Sequence, residues 1–225
     1  FAIADYGDMA LDYAHTADIP DRITAHVAGI LAAGAGCIAL GGDHSVTLPI
    51  LRAHAAKHGP LALIQFDAHT DTWPDDDPLR IDHGTFCYKA VREGLIDVGA
   101  SAHVGIRTVV GDNLGIAIHD ARAVHQRGPE AVAADLRARV GGRPVYLSFD
   151  IDALDPAFAP GTGTPVWGGL SSAQAAQILR GLAGINLVGG DVVEVSPPFD
   201  HAAITAVAAA HVAMELICLW GWCRR

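Results

Sequence analysis

The stretch Leu61-Ala62-Leu63-Ile64-Gln65-Phe66-Asp67-Ala68-His69-Thr70-Asp71 decides the fold and carries the first chemical signal. Opened by Gly59-Pro60, its apolar half reads as a buried strand. The strand then ends in carboxylate, imidazole and carboxylate at alternate positions. Alternation points all three to one side while the backbone stays extended, and a turn after Asp67 converges them further. Three ionisable groups at the end of an apolar strand are costly to bury without a partner, and a divalent cation suits all three at once. Taken alone, the spacing fits a solvated loop equally well.

Two other stretches repeat the pattern. Pro144-Val145-Tyr146-Leu147-Ser148-Phe149 is a second buried-strand run and ends in Asp150-Ile151-Asp152. Gly36-Cys37-Ile38-Ala39-Leu40 is a third and ends in Gly41-Gly42-Asp43-His44-Ser45. Open parallel sheets bind ligands in the crevice beyond their strand ends, so three strands delivering Asp or His to that edge form a candidate site.

Composition narrows the function classes. The 225 residues are 51% hydrophobic and 18% charged, which fits one large folded α/β domain and excludes a disordered chain. A net charge of −10 argues against nucleic acid or an anionic membrane as partner and suits a cationic ligand. Cys37, Cys87, Cys218 and Cys223 show no disulfide-framework spacing, so a reducing, cytoplasmic setting is expected. No leader pattern opens the chain and no apolar run is read as reaching membrane-spanning length.

Residues 1–4 read as the end of a strand. Helices are expected over 20–33, 46–58, 86–93 and 128–140, from Ser171 to about Leu182, and from Asp200 to about Leu219. Short strands are expected at 102–106 and 115–118, and a stronger one at 187–195. His54 and His58 read as surface or helix-terminal histidines, and His103 and His119 as structural. Asp75-Asp76-Asp77 reads as a solvated turn. The alternation of strand and helix, without internal repeat or linker, predicts a single α/β domain with a parallel sheet.

The motifs Gly41-Gly42-Asp43-His44-Ser45, Phe66-Asp67-Ala68-His69-Thr70-Asp71 and Ser148-Phe149-Asp150-Ile151-Asp152-Ala153-Leu154-Asp155-Pro156 resemble, in order and spacing, the three signatures of the ureohydrolase (arginase/agmatinase) family. His83-Gly84-Thr85, Gly105-Ile106-Arg107-Thr108, the loop 159–165 and Asp191-Val192-Val193-Glu194-Val195 are similar to its agmatinase branch. The resemblance covers almost the whole chain, apart from an N-terminal segment that the family carries before Asp5. It implies an arginase-like three-layer fold, a mostly parallel sheet with helices on both faces.

The resemblance also implies two Mn(II) per chain. His44, Asp67, Asp71 and Asp150 would hold one ion, and Asp67, His69, Asp150 and Asp152 the other. A set of carboxylates and imidazoles without thiolate suits Mn(II) better than structural zinc. The implied reaction is hydrolysis of a small cationic guanidino substrate, agmatine, to putrescine and urea. Asp71 would carry a proton to the leaving nitrogen, and His83 would exchange protons with solvent, a role suited to imidazole. Glu194 would grip the guanidinium through a two-pronged charge-assisted pair. Alternatives are a guanidinobutyrase, a guanidinopropionase, a proclavaminate amidinohydrolase-like enzyme, or a metal-binding homologue without turnover. A guanidino acid requires a cation for its carboxylate, and Arg107 is the candidate. Two departures bear on the pocket. Phe86-Cys87-Tyr88 replaces the more usual residues after His-Gly-Thr, and the loop 72–82 lacks the Asn and Ser with which arginases read an α-amino acid. Family assemblies are trimers or hexamers, so a homo-oligomer is expected.

Overall fold

Six short strands, each an apolar run, alternate with helices along the chain. The computed structural model describes residues 1–77, 80–109 and 111–222. The elements in order are α1 (Ile19–Ala32), β1 (Cys37–Leu40), α2 (Thr47–His58), β2 (Ala62–Phe66), α3 (Phe86–Arg92), β3 (Ala102–Val104), β4 (Ala117–His119), α4 (Ala121–Arg127), α5 (Pro129–Val140), β5 (Pro144–Asp150), α6 (Ser172–Gly181), β6 (Asn186–Val193) and α7 (Ile204–Trp222). The strands form one sheet in the order β1-β6-β5-β2-β3-β4, and every pairing is parallel. Four neighbouring strands, β1, β6, β5 and β2, therefore present their C-terminal ends side by side. That shared edge is where His44, Glu194, Asp150 and Asp67 emerge.

Helices cover both faces and make three layers. On one face, Ile23, Val27 and Leu31 of α1 recur at every fourth position and pack with Leu48 and Leu51 of α2, Phe86 of α3, and Leu61, Leu63 and Tyr146 of the sheet. On the other, Leu136 of α5, Ile178 of α6 and Leu216 of α7 meet Ile64, Phe66, Leu147 and Phe149. Each such aliphatic side chain contributes about 1.5–3 kcal/mol when fully buried. Ser171 starts α6 with a capping box, accepting from the Gln174 amide while the Gln174 side chain accepts from its own. Asp200 caps α7 across two left-handed residues, Ala202 and Ala203, by accepting the amides of Thr205 and Ala206.

Several expectations change. Residues 1–10 form no strand. A helix the sequence reading left out, α4, precedes α5. His54 is not a surface residue. Its ring is fully buried against Tyr146, 5.1 Å between centroids, and lies where a side chain at residue 189 would sit, which is why Gly189 is required there. Burial lowers the His54 imidazole to about 4, which keeps it neutral in the core. Asp75 is likewise buried and paired with Lys89 and Arg80, so the triple-Asp loop is anchored at its first carboxylate. By length and composition α7 is apolar enough to cross a membrane, contrary to the sequence reading. Its Val212, Ala213, Leu216 and Leu219 pack into the core, and an Ala/Val/Leu helix lying on a sheet meets the same test as a membrane span.

Candidate metal centre and active site

The backbone beyond β2 turns at Asp67, whose Oδ1 accepts the His69 amide at 2.6 Å while Oδ2 accepts from the Gln65 side chain at 2.8 Å. Asp150 ends β5 and turns the chain in the same way, accepting the Asp152 amide at 2.7 Å. Asp152 reaches across to accept the Ala68 amide at 2.9 Å, which ties the two turns together. These Asp-anchored turns bring carboxylates from adjacent strands to one point.

Two imidazoles complete the cluster. His44 Nδ1 lies 2.9 Å from Asp71, 3.3 Å from Asp67 and 3.3 Å from Asp150, measured to their Oδ2 atoms. It is buried, yet its alignment with these oxygens gives it no hydrogen bond. A nitrogen surrounded by carboxylate oxygens at that range, but aimed at none of them, is arranged around a shared point. His69 Nδ1 lies 3.1 Å from Asp152 and 3.4 Å from Asp67. Two overlapping groups result, His44-Asp67-Asp71 and Asp67-His69-Asp152, each with donor atoms within 4.8 Å of one another. Asp67 belongs to both.

The electrostatics favour a cation. Burial, then the charge of Asp67, raises Asp71 to about 7. The same causes push Asp150 well above the carboxylate range and Asp152 above it, with Asp152 further raising Asp150. Burial also opposes ionisation of Asp67, but the adjacent imidazoles of His44 and His69 outweigh it and hold that carboxyl low. His69 is raised to about 10 by Asp152 first and Asp67 second. For His44, burial opposes the charge, and Asp150, Asp67 and Asp71 together outweigh it. Four carboxylates (67, 71, 150, 152) thus face two imidazoles (44, 69) in a buried place, and the repulsion among them is what bound cations relieve. The donor set, oxygen and imidazole without sulfur, fits hard-to-borderline divalent ions.

Backbone strain concentrates here. Asp71 and Glu194 both adopt left-handed conformations, φ 51° and φ 63°, at a cost of about 1–3 kcal/mol each. The Asp71 carbonyl accepts the amides of Cys87 and Tyr88, which holds that turn. Glu194 follows β6. Its amide donates to the Gly42 carbonyl, and its Oε1 accepts the His44 amide at 2.6 Å. Burial raises its carboxyl, and the His44 amide opposes the rise. His83, half exposed, stands 3.4 Å from Asp43 and 3.7 Å from Glu194 at the rim. Phe86, one of the departures noted in the sequence, is fully buried and packs on His44, with 4.3 Å between ring centroids.

All eight residues singled out from the sequence, His44, Asp67, His69, Asp71, His83, Asp150, Asp152 and Glu194, therefore meet at one edge. Arg107 does not join them as an anion-binding group. Its guanidinium donates to the carbonyls of Gly105, Asp152, Ala153, Leu154 and Val166, and every nitrogen is engaged. Sequence reading passed over Gln65, Asp43, Ser148 and Asp191. Ser148 was accessible by parity, since it shares a strand face with Asp150 two residues on. Asp191 was accessible as a lone carboxylate inside an apolar run.

A family model described as the arginase family matches residues 1–218. The chain belongs to the arginase family. Within that family it is similar to the agmatinase of Chromobacterium violaceum, 53% identical over 219 residues, which cover 97% of this chain and 68% of that protein. A crystal structure of a hypothetical agmatinase from Burkholderia thailandensis superposes with a TM-score of 0.95 at 58% identity, over 96% of this chain and 69% of that one. Proclavaminate amidino hydrolase from Streptomyces clavuligerus follows the same fold with a TM-score of 0.87 at 41% identity, over 91% of this chain and 70% of that one. The expected three-layer parallel architecture is thus the arginase-family fold, and the two overlapping groups are candidate metal sites of a metal-dependent family.

Proposed function

We propose that this chain is an agmatinase that uses two Mn(II) ions to hydrolyse the guanidinium of agmatine, giving putrescine and urea. The observation that carries the reading is the position of Glu194. Its carboxylate is pinned by the His44 amide directly beside the carboxylate–imidazole cluster, with His83 on its other side. A guanidinium bound there presents its carbon to the cluster.

His44, Asp67, Asp71 and Asp150 would hold one ion, and Asp67, His69, Asp150 and Asp152 the other. When bound, such a pair lowers the pKa of water so that a nucleophile exists at neutral pH. The chain's own groups do the rest. Glu194 orients the planar guanidinium through charge-assisted hydrogen bonds. Water adds at the guanidinium carbon, the bond from that carbon to the butyl-chain nitrogen breaks, and Asp71 delivers a proton to the departing amine. His83, exposed at the rim, exchanges protons with solvent.

Agmatine is favoured over guanidino acids because Arg107 has no donor left for a carboxylate, while the net charge of −10 suits a cationic substrate. The likeness to proclavaminate amidino hydrolase keeps guanidino acids as the second reading. The free thiols Cys37, Cys87 and Cys218 support a reducing compartment such as the cytoplasm, and Cys223 lies outside the described residues. A trimer or hexamer is proposed from family likeness, and the exposed Trp167 and Val109 are compatible with subunit contacts.

The test is urea release from agmatine, arginine, 4-guanidinobutyrate and 3-guanidinopropionate, with manganese-reconstituted and metal-free protein side by side. Metal-dependent preference for agmatine is expected. Preference for a guanidino acid keeps the chemistry and moves the substrate. No urea from any of them, with two ions bound, removes the catalytic reading.

A further inference from the structure

Beneath the metal cluster lies a polar group that the proposed reaction does not use. Asp191, in the middle of β6, is completely buried, as are Ser148, Tyr146 and Thr47 around it. Its Oδ1 accepts from the Ser148 hydroxyl at 2.6 Å, and its Oδ2 accepts from the hydroxyls of Tyr146 at 2.7 Å and Thr47 at 2.8 Å. Ser148 Oγ in turn lies 2.8 Å from His44 Nε2.

The direction of these bonds follows from counting protons. A serine hydroxyl has one proton to give, and here Asp191 takes it. Toward His44, Ser148 Oγ is therefore an acceptor, so Nε2 carries the hydrogen. The other ring nitrogen, Nδ1, is the one left for a cation, and it is the atom surrounded by Asp67, Asp71 and Asp150 without a hydrogen bond. Had Asp191 been a donor, Ser148 would be free to turn its proton toward His44 and stabilise the opposite tautomer. Tyr146, on the same strand as Ser148, and Thr47, at the start of α2, both donate to Oδ2 and fix the carboxylate that takes the Ser148 proton.

We propose that Asp191, acting through Ser148, is a positioning residue that locks His44 in its Nε2–H tautomer and aims Nδ1 at the cation site. Partners of this kind orient metal-bound imidazoles and raise their basicity, and their loss weakens metal affinity about 10–100-fold. The inference rests on the metal-centre reading above, and calorimetry separates the two.

Manganese is titrated into metal-free wild type, Ser148→Ala and Asp191→Asn, and thermal unfolding of each metal-free protein is recorded alongside. The expected result is an affinity loss of about 10–100-fold at the site containing His44, with about threefold or less at the His69 site, in both variants. In Ser148→Ala, Asp191 keeps Tyr146 and Thr47, so the loss occurs with the metal-free fold intact. If Asp191→Asn does not fold, Ser148→Ala alone decides. Wild-type affinity at both sites in Ser148→Ala overturns the inference while leaving the metal centre standing. A wild-type chain that takes up no manganese overturns the metal centre itself, and this inference with it.

Discussion

Replacing Glu194 with Gln isolates one charge with almost no change of shape. The new side-chain amide oxygen can still accept the His44 amide, which Glu194 holds at 2.6 Å, so the turn after β6 and the strained residue 194 stay in place. What disappears is the negative charge facing the substrate. The Glu194 side chain is only 14% exposed, so its pairing with a guanidinium is largely desolvated. Removing one partner of such a pair costs about 2–5 kcal/mol, because the other charge is left without compensation. At 1.4 kcal/mol per decade this lowers kcat/KM for agmatine by about 30-fold to several thousand-fold. The assay is steady-state urea release at saturating manganese, with metal content and thermal unfolding measured on the same preparations and expected to match wild type. The difference should narrow as pH falls, because burial raises the Glu194 carboxyl and protonation makes the wild type resemble the variant. A Glu194→Gln protein with full metal content and kcat/KM within about threefold of wild type refutes the pairing.

Arg107→Lys keeps the charge but replaces five fixed donors by three on a flexible stem. With several of the carbonyls at 105, 152, 153, 154 and 166 then unmet, chemical denaturation should show a loss of about 2–4 kcal/mol. KM values for agmatine and 4-guanidinobutyrate should move together, and a selective rise for the guanidino acid would restore Arg107 as a carboxylate receptor. The metal-free protein should lose stability between pH 6.5 and 8. Asp71 has its folded pKa raised from 3.8 to about 7, so its contribution is fully present below the unfolded value and is lost as pH rises through 7. The raised imidazoles of His44 and His69 act in the same sense, and the lowered His54 and His103 have already reached their plateau above 6.5. Saturating manganese should flatten or reverse that slope in a thermal-unfolding series, since ligands must lose protons to bind it. A metal-free melting temperature that rises across this interval contradicts the assignment.

The strands were legible because each is a short apolar run between turn residues, and parallel order follows from their alternation with helices. The eight candidate site residues were legible because seven sit at or just beyond strand ends and the eighth, His83, follows in a recognisable motif. Sequence reading failed where a residue's surroundings come from elsewhere in the chain. His54 has the spacing of a surface helix residue, yet it is core because β6 offers Gly189 at the point where its ring arrives. Asp75 looks like one of three solvated acids, but Lys89 and Arg80 draw it inside. Arg107 looks like an anion receptor until its guanidinium meets five carbonyls. By itself, the sequence determined the alternation of elements, the parallel sheet and the residue types at its C-terminal edge, since periodicity and turn chemistry are local properties. Tertiary structure alone decided that β1, β6, β5 and β2 lie side by side, how near the two imidazoles come to the carboxylates between them, and that Asp191 is joined to His44 through Ser148. Those outcomes depend on distances between residues as many as 150 positions apart, set by strand order and register rather than by any local pattern.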